Sequence, residues 1–423
     1  MRSAVRVRDR PPPVLSTTPR PGSPRAALQH RSFRWVFAGT FASNIGTWMQ
    51  NVALISFADE LTQRSGYHGP GASAFVGIVT FAQLGPILFL SPFGGVIADA
   101  INRRTLLAVS AALQAAFSLV LAAVAASAAP PWWSIVAVVA AIGIVGSANG
   151  PASQAMLPSL VGKLDLPGAV ALNSAQMNAS RVIGPLLAVT GWLQGPSHAF
   201  VFNAITYLFV IAAVLGVRLP AQVAAPSGEG PMERLRGGFD EARRNAVVGR
   251  ALVIVSVYSL FSLVFIYQMK GFARTELHLP ADRFYVLFGC FGLGAAAGAI
   301  AVGTGLALLP RHIVVRWGLA TFALALGAYS LMDRPGPAYL LVAVTGFSYF
   351  VVITSLSTSV QESVSDAVRG RVMGLWMMAW AGLVPVGSMV AGLVIDRTGH
   401  RPVLLAGAAV AAVLAGYSAR LHQ

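Results

Sequence analysis

The chain has 423 residues, of which 56% are hydrophobic and only 11% charged, yet it carries a formal net charge of +15. With a mean hydropathy of +0.68 it holds more apolar surface than a water-soluble fold can bury, which excludes a soluble multidomain protein. Its arginines sit at the ends of apolar runs rather than on one basic face with interleaved aromatics, so the charge reads as membrane topology and not as nucleic-acid binding.

In chain order, residues 1–32 form a basic, proline-rich tail containing RPPP and PRPGSP, which is expected to be disordered. No apolar region follows the early arginines before residue 33, so the tail is not a signal peptide. Twelve helix-length apolar segments follow, at about 33–58, 73–98, 104–127, 132–157, 169–192, 198–217, 250–269, 283–306, 309–331, 337–360, 369–395 and 401–420. The fold class predicted is an all-α polytopic membrane protein with twelve transmembrane helices in two six-helix bundles. The bundles are expected at 33–217 and 250–423, joined by a polar connection at 218–249. Within that connection, MERLRGGFDEARRN has the composition of a surface helix, although a plain linker is the first reading.

With the N-terminus inside, 22 of the 30 Lys and Arg residues fall on the cytoplasmic side, seven fall opposite, and Arg181 alone falls in mid-segment. The positive-inside rule therefore puts both termini in the cytoplasm. High alanine, arginine and glycine content is that of a GC-rich bacterial coding sequence, so the expected location is the bacterial inner membrane. The halves echo each other: Ser153–Gln154 through Gly184–Pro185 to Gly191 has a counterpart in Val360–Gln361 through Pro385 to Gly392. Parallel six-helix repeats of this kind usually place a substrate path between them.

The turn between segments 2 and 3 reads Gly94-Gly95-Val-Ile-Ala-Asp99-Ala-Ile-Asn-Arg103-Arg104. Its glycines permit close helix approach, Asp99 suits a helix N-terminus or an arginine, and the two arginines suit an anionic leaflet. In a twelve-segment chain this stretch resembles the helix 2–3 loop signature of the major facilitator superfamily. Ser43-Asn44-Ile-Gly46-Thr-Trp48-Met-Gln50, Gln154-Ala-Met-Leu-Pro158 with Ala171-Leu172-Asn173, and Arg181-Val-Ile-Gly184-Pro185 make it similar to the transmembrane secretion effector branch. That resemblance covers nearly everything after residue 32. It implies a central cavity, alternating access and export of a small organic molecule such as a siderophore, secondary metabolite or drug. It also implies that Gly94, Gly95, Asp99, Arg103, Arg104 and Arg371 form a conformational latch, with Asp99 meeting Arg371 or the start of helix 11. Segment 4 carries no arginine, so the motifs do not fix proton coupling.

An ionisable group at mid-depth costs about 2.5–3.5 kcal/mol on insertion scales, which singles out Arg181. It lies about 18 Å along segment 5 at 1.5 Å per residue. Two readings stand side by side: a cavity cation, or a structural arginine bonded to helix carbonyls. Gly184 and Pro185 would allow a kink and close packing just beyond it, and Pro385 holds the corresponding place in segment 11. Asn44, Trp48 and Asn51 share one helix face and are expected to line the cavity. Gln83, Asn173, Gln176, Tyr267 and Tyr349 are weaker cavity candidates, for which interhelical bonding or an aromatic belt is the alternative. Asp59 is the best candidate for a coupling acid, although it lies at the outer end of segment 1.

No disulfide is available to the single Cys290, the seven histidines lack metal-ligand spacing, and no catalytic or nucleotide-binding motif is found. The expectation is a non-enzymatic secondary active exporter without cofactor or metal, driven by a proton gradient or the membrane potential. Its partners are a small-molecule substrate, the lipid bilayer and, as candidate coupling ion, protons. A monomer is expected, and no nucleic acid. The alternative is a non-transporting membrane sensor or assembly factor with the same fold.

Overall fold

The computed structural model describes residues 20–419 apart from 101, 148, 190–194, 218–229 and 281. For some helical residues, 91–100 among them, it describes the backbone alone. A short turn, α1 (Pro24–Ala27), precedes α2 (Arg31–Leu61), α3 (Ala72–Ala100), α4 (Arg103–Ala126), α5 (Trp132–Gly146), α6 (Asn149–Val189) and α7 (Pro196–Gly216). Then come α8 (Pro231–Arg244), α9 (Ala246–Val257), α10 (Phe265–Thr275), α11 (Arg283–Gly303), α12 (Arg311–Ser330), α13 (Pro335–Glu362), α14 (Asp366–Met377), α15 (Leu383–Thr398) and α16 (His400–Tyr417).

Among the described residues, nine stretches are long and apolar enough to cross a membrane, and α5 is a shorter apolar helix. With α2, α5 running into the start of α6, and the rest of α6, they make the twelve passes of two six-helix bundles. Helices suffice because every backbone polar group must be satisfied within the segment once water is absent.

Two local expectations are corrected. The expected disordered tail is structured over residues 20–32: Ser23 caps α1, while the Gly22 N–H and His30 Nε2 bond the Asp165 carboxylate at 3.0 and 2.8 Å. The polar connection contains a true helix, α8, started by Pro231 and by Glu233 accepting from the Gly230 N–H at 3.1 Å. Within α6 the backbone breaks at Gly162, in the link expected between the fourth and fifth segments, where glycine adopts a φ of 72° without strain.

Two helix pairs close the seam between bundles, α3 against α15 and α6 against α11. Small residues set their spacing: a Cβ at Gly77 would lie 2.6 Å from the Ser388 carbonyl oxygen, and one at Gly292 3.2 Å from that of Arg181. Within the C-terminal half, Tyr258, Phe265 and Phe322 pack edge to face at 4.9 and 5.7 Å.

Candidate functional site

The site is built where α6 crosses α2. Gly184 lets the two helices approach so closely that a Cβ there would lie 2.8 Å from both the Ile45 carbonyl and the Met49 nitrogen. One turn earlier, that approach sets the half-buried Arg181 beside Trp48. The guanidinium carbon lies 4.9 Å from the Trp48 ring centroid and 4.9 Å from that of Phe350 on α13. One cation is thus held between aromatic faces of the two bundles, an arrangement worth about 0.5–2 kcal/mol per ring depending on desolvation.

Tyr267 of α10 and Tyr349 of α13 lie close enough to interact with the Arg181 charge. The Tyr349 hydroxyl accepts a 3.1 Å bond from the indole N–H of Trp380, and its ring stacks on Phe291 at 5.9 Å. Trp380 sits in a π-turn, Met378–Gly382, just before Pro385. Because Pro385 cannot donate to the carbonyl four residues back, a wider turn there relieves the helix, and the extra residue turns Trp380 to the seam. A second π-turn, Tyr258–Ser262, interrupts the pass made by α9 and α10. The Arg181 Nε has no hydrogen-bond partner, and among the described residues no carboxylate pairs with this guanidinium. An unbonded guanidinium donor retains the capacity to bond an anion.

Arg181, Trp48, Tyr267 and Tyr349 therefore come together as the sequence suggested. Asn51 and Gln83 do not join them; they bond each other at 2.7 Å, as do Gln176 and Asn173. Asn44 is half-buried on the stripe that ends at Asn51. Gly94, Gly95 and Asp99 are described by their helical backbone alone, so the expected latch contacts lie outside the described side chains. Arg104 is not directed at lipid: its guanidinium donates to the Val214 carbonyl at 3.0 Å and to that of Leu215, closing the C-terminal end of α7. Arg103 opens α4, which Asn102 caps. Arg371 packs on α8, its guanidinium 3.0 Å from where a Cβ of Gly237 would stand.

A second cluster lies at the end of the seam away from the chain termini. Asp59, 1% exposed, receives two bonds from Arg274 at 2.9 and 3.0 Å, while Glu60 meets Lys270 at 3.4 Å. Ser56 donates to the same Glu60 carboxylate at 2.6 Å. Both ion pairs join α2 to α10 and so bridge the bundles. Asp59, the expected coupling acid, is thus tied to a cation on the other half. Above it, Tyr67 donates to the Pro70 carbonyl at 2.9 Å, and burial together with the nearby Asp396 charge raises its phenol to about 12. On the termini-bearing face, His30 and then Gly22 hold the Asp165 carboxyl below its ordinary value.

Sequence reasoning missed Phe350 and Trp380, which carry no polar signal, and treated Lys270 and Arg274 only as opposite-face charge. A signal for the latter existed. Adjacent acids end the first segment of one half, and cations four residues apart end the first segment of the other.

A family model described as transmembrane secretion effector matches residues 22–423. The chain is 26% identical over 381 residues to the staphyloferrin A transporter of Staphylococcus aureus, covering 86% of this chain and 90% of that protein. It is 25% identical over 365 residues to the enterobactin exporter EntS of Citrobacter koseri, covering 82% and 81%. Its fold is similar to that of the nucleoside transporter NupG, with a TM-score of 0.75 at 12% identity, covering 93% of this chain and 100% of that one.

Proposed function

We propose, from the premise that this chain belongs to the transmembrane secretion effector family of the major facilitator superfamily and is a multi-pass membrane transporter, that it exports a small anionic organic molecule. The observation carrying this reading is Arg181, a seam cation sandwiched between Trp48 and Phe350 with an unbonded Nε. An arginine fork suits a carboxylate or a deprotonated phenol, and the flanking rings suit the flat apolar part of the same molecule. Two relatives, one a staphyloferrin A transporter and one an enterobactin exporter, support a siderophore-like substrate.

In this reading both termini are cytoplasmic in a bacterial inner membrane, and the bundles are 33–217 and 250–423. The Asp59–Arg274 and Glu60–Lys270 pairs then seal the outer end, which is the arrangement of an inward-facing conformer. Substrate would enter from the cytoplasm, meet Arg181, and leave when those pairs separate, with a proton gradient or the membrane potential as driving force.

The test is metabolite profiling of cells and spent medium, under iron limitation and in rich medium. Strains would carry the intact gene, a deletion, or Arg181→Ala. A compound that accumulates inside both altered strains and disappears from the medium supports the reading. Unchanged distributions in the deletion strain overturn export, and wild-type behaviour of Arg181→Ala removes Arg181 from the substrate path.

A further inference from the structure

The outer end of the seam carries a feature that the ion pairs do not explain. Asp396, at the end of α15, accepts from the Ser73 N–H and the Ala74 N–H, both at 3.0 Å. These are first-turn donors of α3, which no residue of α3 itself can satisfy. A carboxylate from one bundle thus caps a helix of the other, where the helix dipole also favours negative charge.

The sequence around it repeats the signature on the opposite face. Gly392-Leu-Val-Ile-Asp396-Arg-Thr-Gly-His400-Arg401 has the spacing of Gly95-Val-Ile-Ala-Asp99-Ala-Ile-Asn-Arg103-Arg104. In both, a glycine precedes an aspartate by four residues, with a basic or imidazole side chain four residues after it and an arginine at the fifth. Both end one helix and open the next, α3 into α4 and α15 into α16. Because α3 and α15 lie side by side with opposite chain directions, each motif stands at the end of one helix beside the start of its neighbour's pass. Inverted repeats within each half of this fold class account for such an exchange.

The surroundings are shaped for that contact. A Cβ at Gly71 would collide with the Asp396 carboxylate, and one at Gly392 with the Ser73 carbonyl. His400, 4% exposed, bridges Ser73 Oγ at 3.5 Å and Thr275 Oγ1 at 3.2 Å. Gly271 leaves it room. Arg401 meets Glu276 at 2.8 Å and also Asp333, fastening the motif to its own bundle.

The geometry points to Asp396 as an outer latch, the counterpart of the Asp99 signature: it holds the outer end closed by capping α3 and must release that helix when the end opens. His400 and Arg401 are its positioning residues. The inference rests on the alternating-access reading above. The latch is assigned to the balance between conformers and not to substrate contact, since Asp396 lies at the helix end and Arg181 at mid-seam.

The experiment measures spin-label distances across the outer face between Ser65→Cys and Pro337→Cys, in a Cys290→Ser background of the full chain in nanodiscs. Asp396→Asn leaves one acceptor for the two N–H donors and removes the charge from the start of α3, so it should enlarge the long-distance, outward-open population about fivefold, the weight of one net hydrogen bond of about 1 kcal/mol. Asp396→Glu should restore part of the short-distance population. Asp99→Asn should move the balance the other way, and the double variant should return towards wild type. Two wild-type populations left unmoved by Asp396→Asn, or moved as in Asp99→Asn, overturn the latch and leave the alternating-access reading standing. A single population in every variant overturns that reading and the latch together. A variant that merely destabilises the fold broadens both populations and cannot be rescued by its opposite number, which also counts against the latch.

Discussion

The seam between the bundles treats charge in two ways. At the end away from the chain termini Asp59, Glu60, Lys270 and Arg274 sit in opposite pairs across α2 and α10. At mid-seam Arg181 faces two aromatic rings and keeps an unbonded donor. Removing charge from water is expensive, so an ion pair compensates each member and fixes a geometry. A cation left with only ring faces is compensated when an anion arrives. In the proposed reading, pairing separates the residues that hold a conformer from the residue that binds the ligand.

The sharpest way to break this contrast is at Arg181. Replacement by Ala should lower substrate affinity by ten- to a hundredfold, since a hydrogen bond to a charged group is worth about 1.5–3 kcal/mol. Arg181→Lys should recover only part, because an ammonium cannot present the planar fork. Both are read as the substrate KM in membrane vesicles, against outer-face labelling that should stay at the wild-type level. The opposite split is expected at the gate. Asp59→Asn should leave substrate affinity within twofold but raise outer-face labelling of Ser65→Cys about tenfold, as Arg274 loses its partner. Exchanging the charges, Asp59→Arg with Arg274→Asp, should bring labelling back. If the gate variants changed affinity and the Arg181 variants changed labelling, the division drawn here would be reversed.

A smaller effect tests the rim of the site. Trp380→Phe keeps the ring and removes the donor to Tyr349. It should raise the substrate Kd about fivefold, the weight of one neutral hydrogen bond of about 1 kcal/mol. Isothermal titration with the exported compound measures it directly.

Much of this was legible in the sequence. Apolar length gave the twelve passes, and the cost of a buried charge singled out Arg181 before any neighbour was known. Trp48, Tyr267 and Tyr349 were found because polar-aromatic side chains avoid lipid. Asn51 and Gln83, picked on the same rule, bond each other across α2 and α3, the interhelical alternative that the sequence left open for Gln83. Phe350 and Trp380 could not be found, since an aromatic residue facing the seam and one facing lipid look alike in an apolar helix. Arg104 was misread for a different reason. The open carbonyls at the end of α7 compete with phospholipid for a guanidinium, and only the fold reveals that they stand within reach.

The smallest effect concerns a pair that does neither task. His30 and Asp165 lie on the termini-bearing face, with the His30 side chain 39% exposed, so their contact contributes little to stability. It does fix the last part of the tail against the link that follows Gly162, with Gly22 as second donor. Asp165 is held below its ordinary value, so its contribution is complete above that value and is lost as the pH falls through the lowered one. A dye on Arg25→Cys, in the Cys290→Ser background, should keep a constant anisotropy from pH 8 to 5. Mobility should rise only once the pH drops below about 4, the ordinary range of an aspartate. Asp165→Asn should show the mobile value already at neutral pH, with substrate KM and outer-face labelling unchanged. If instead it altered either, an exposed pair would be acting on the seam, and pairing alone would no longer tell a latch from a tether.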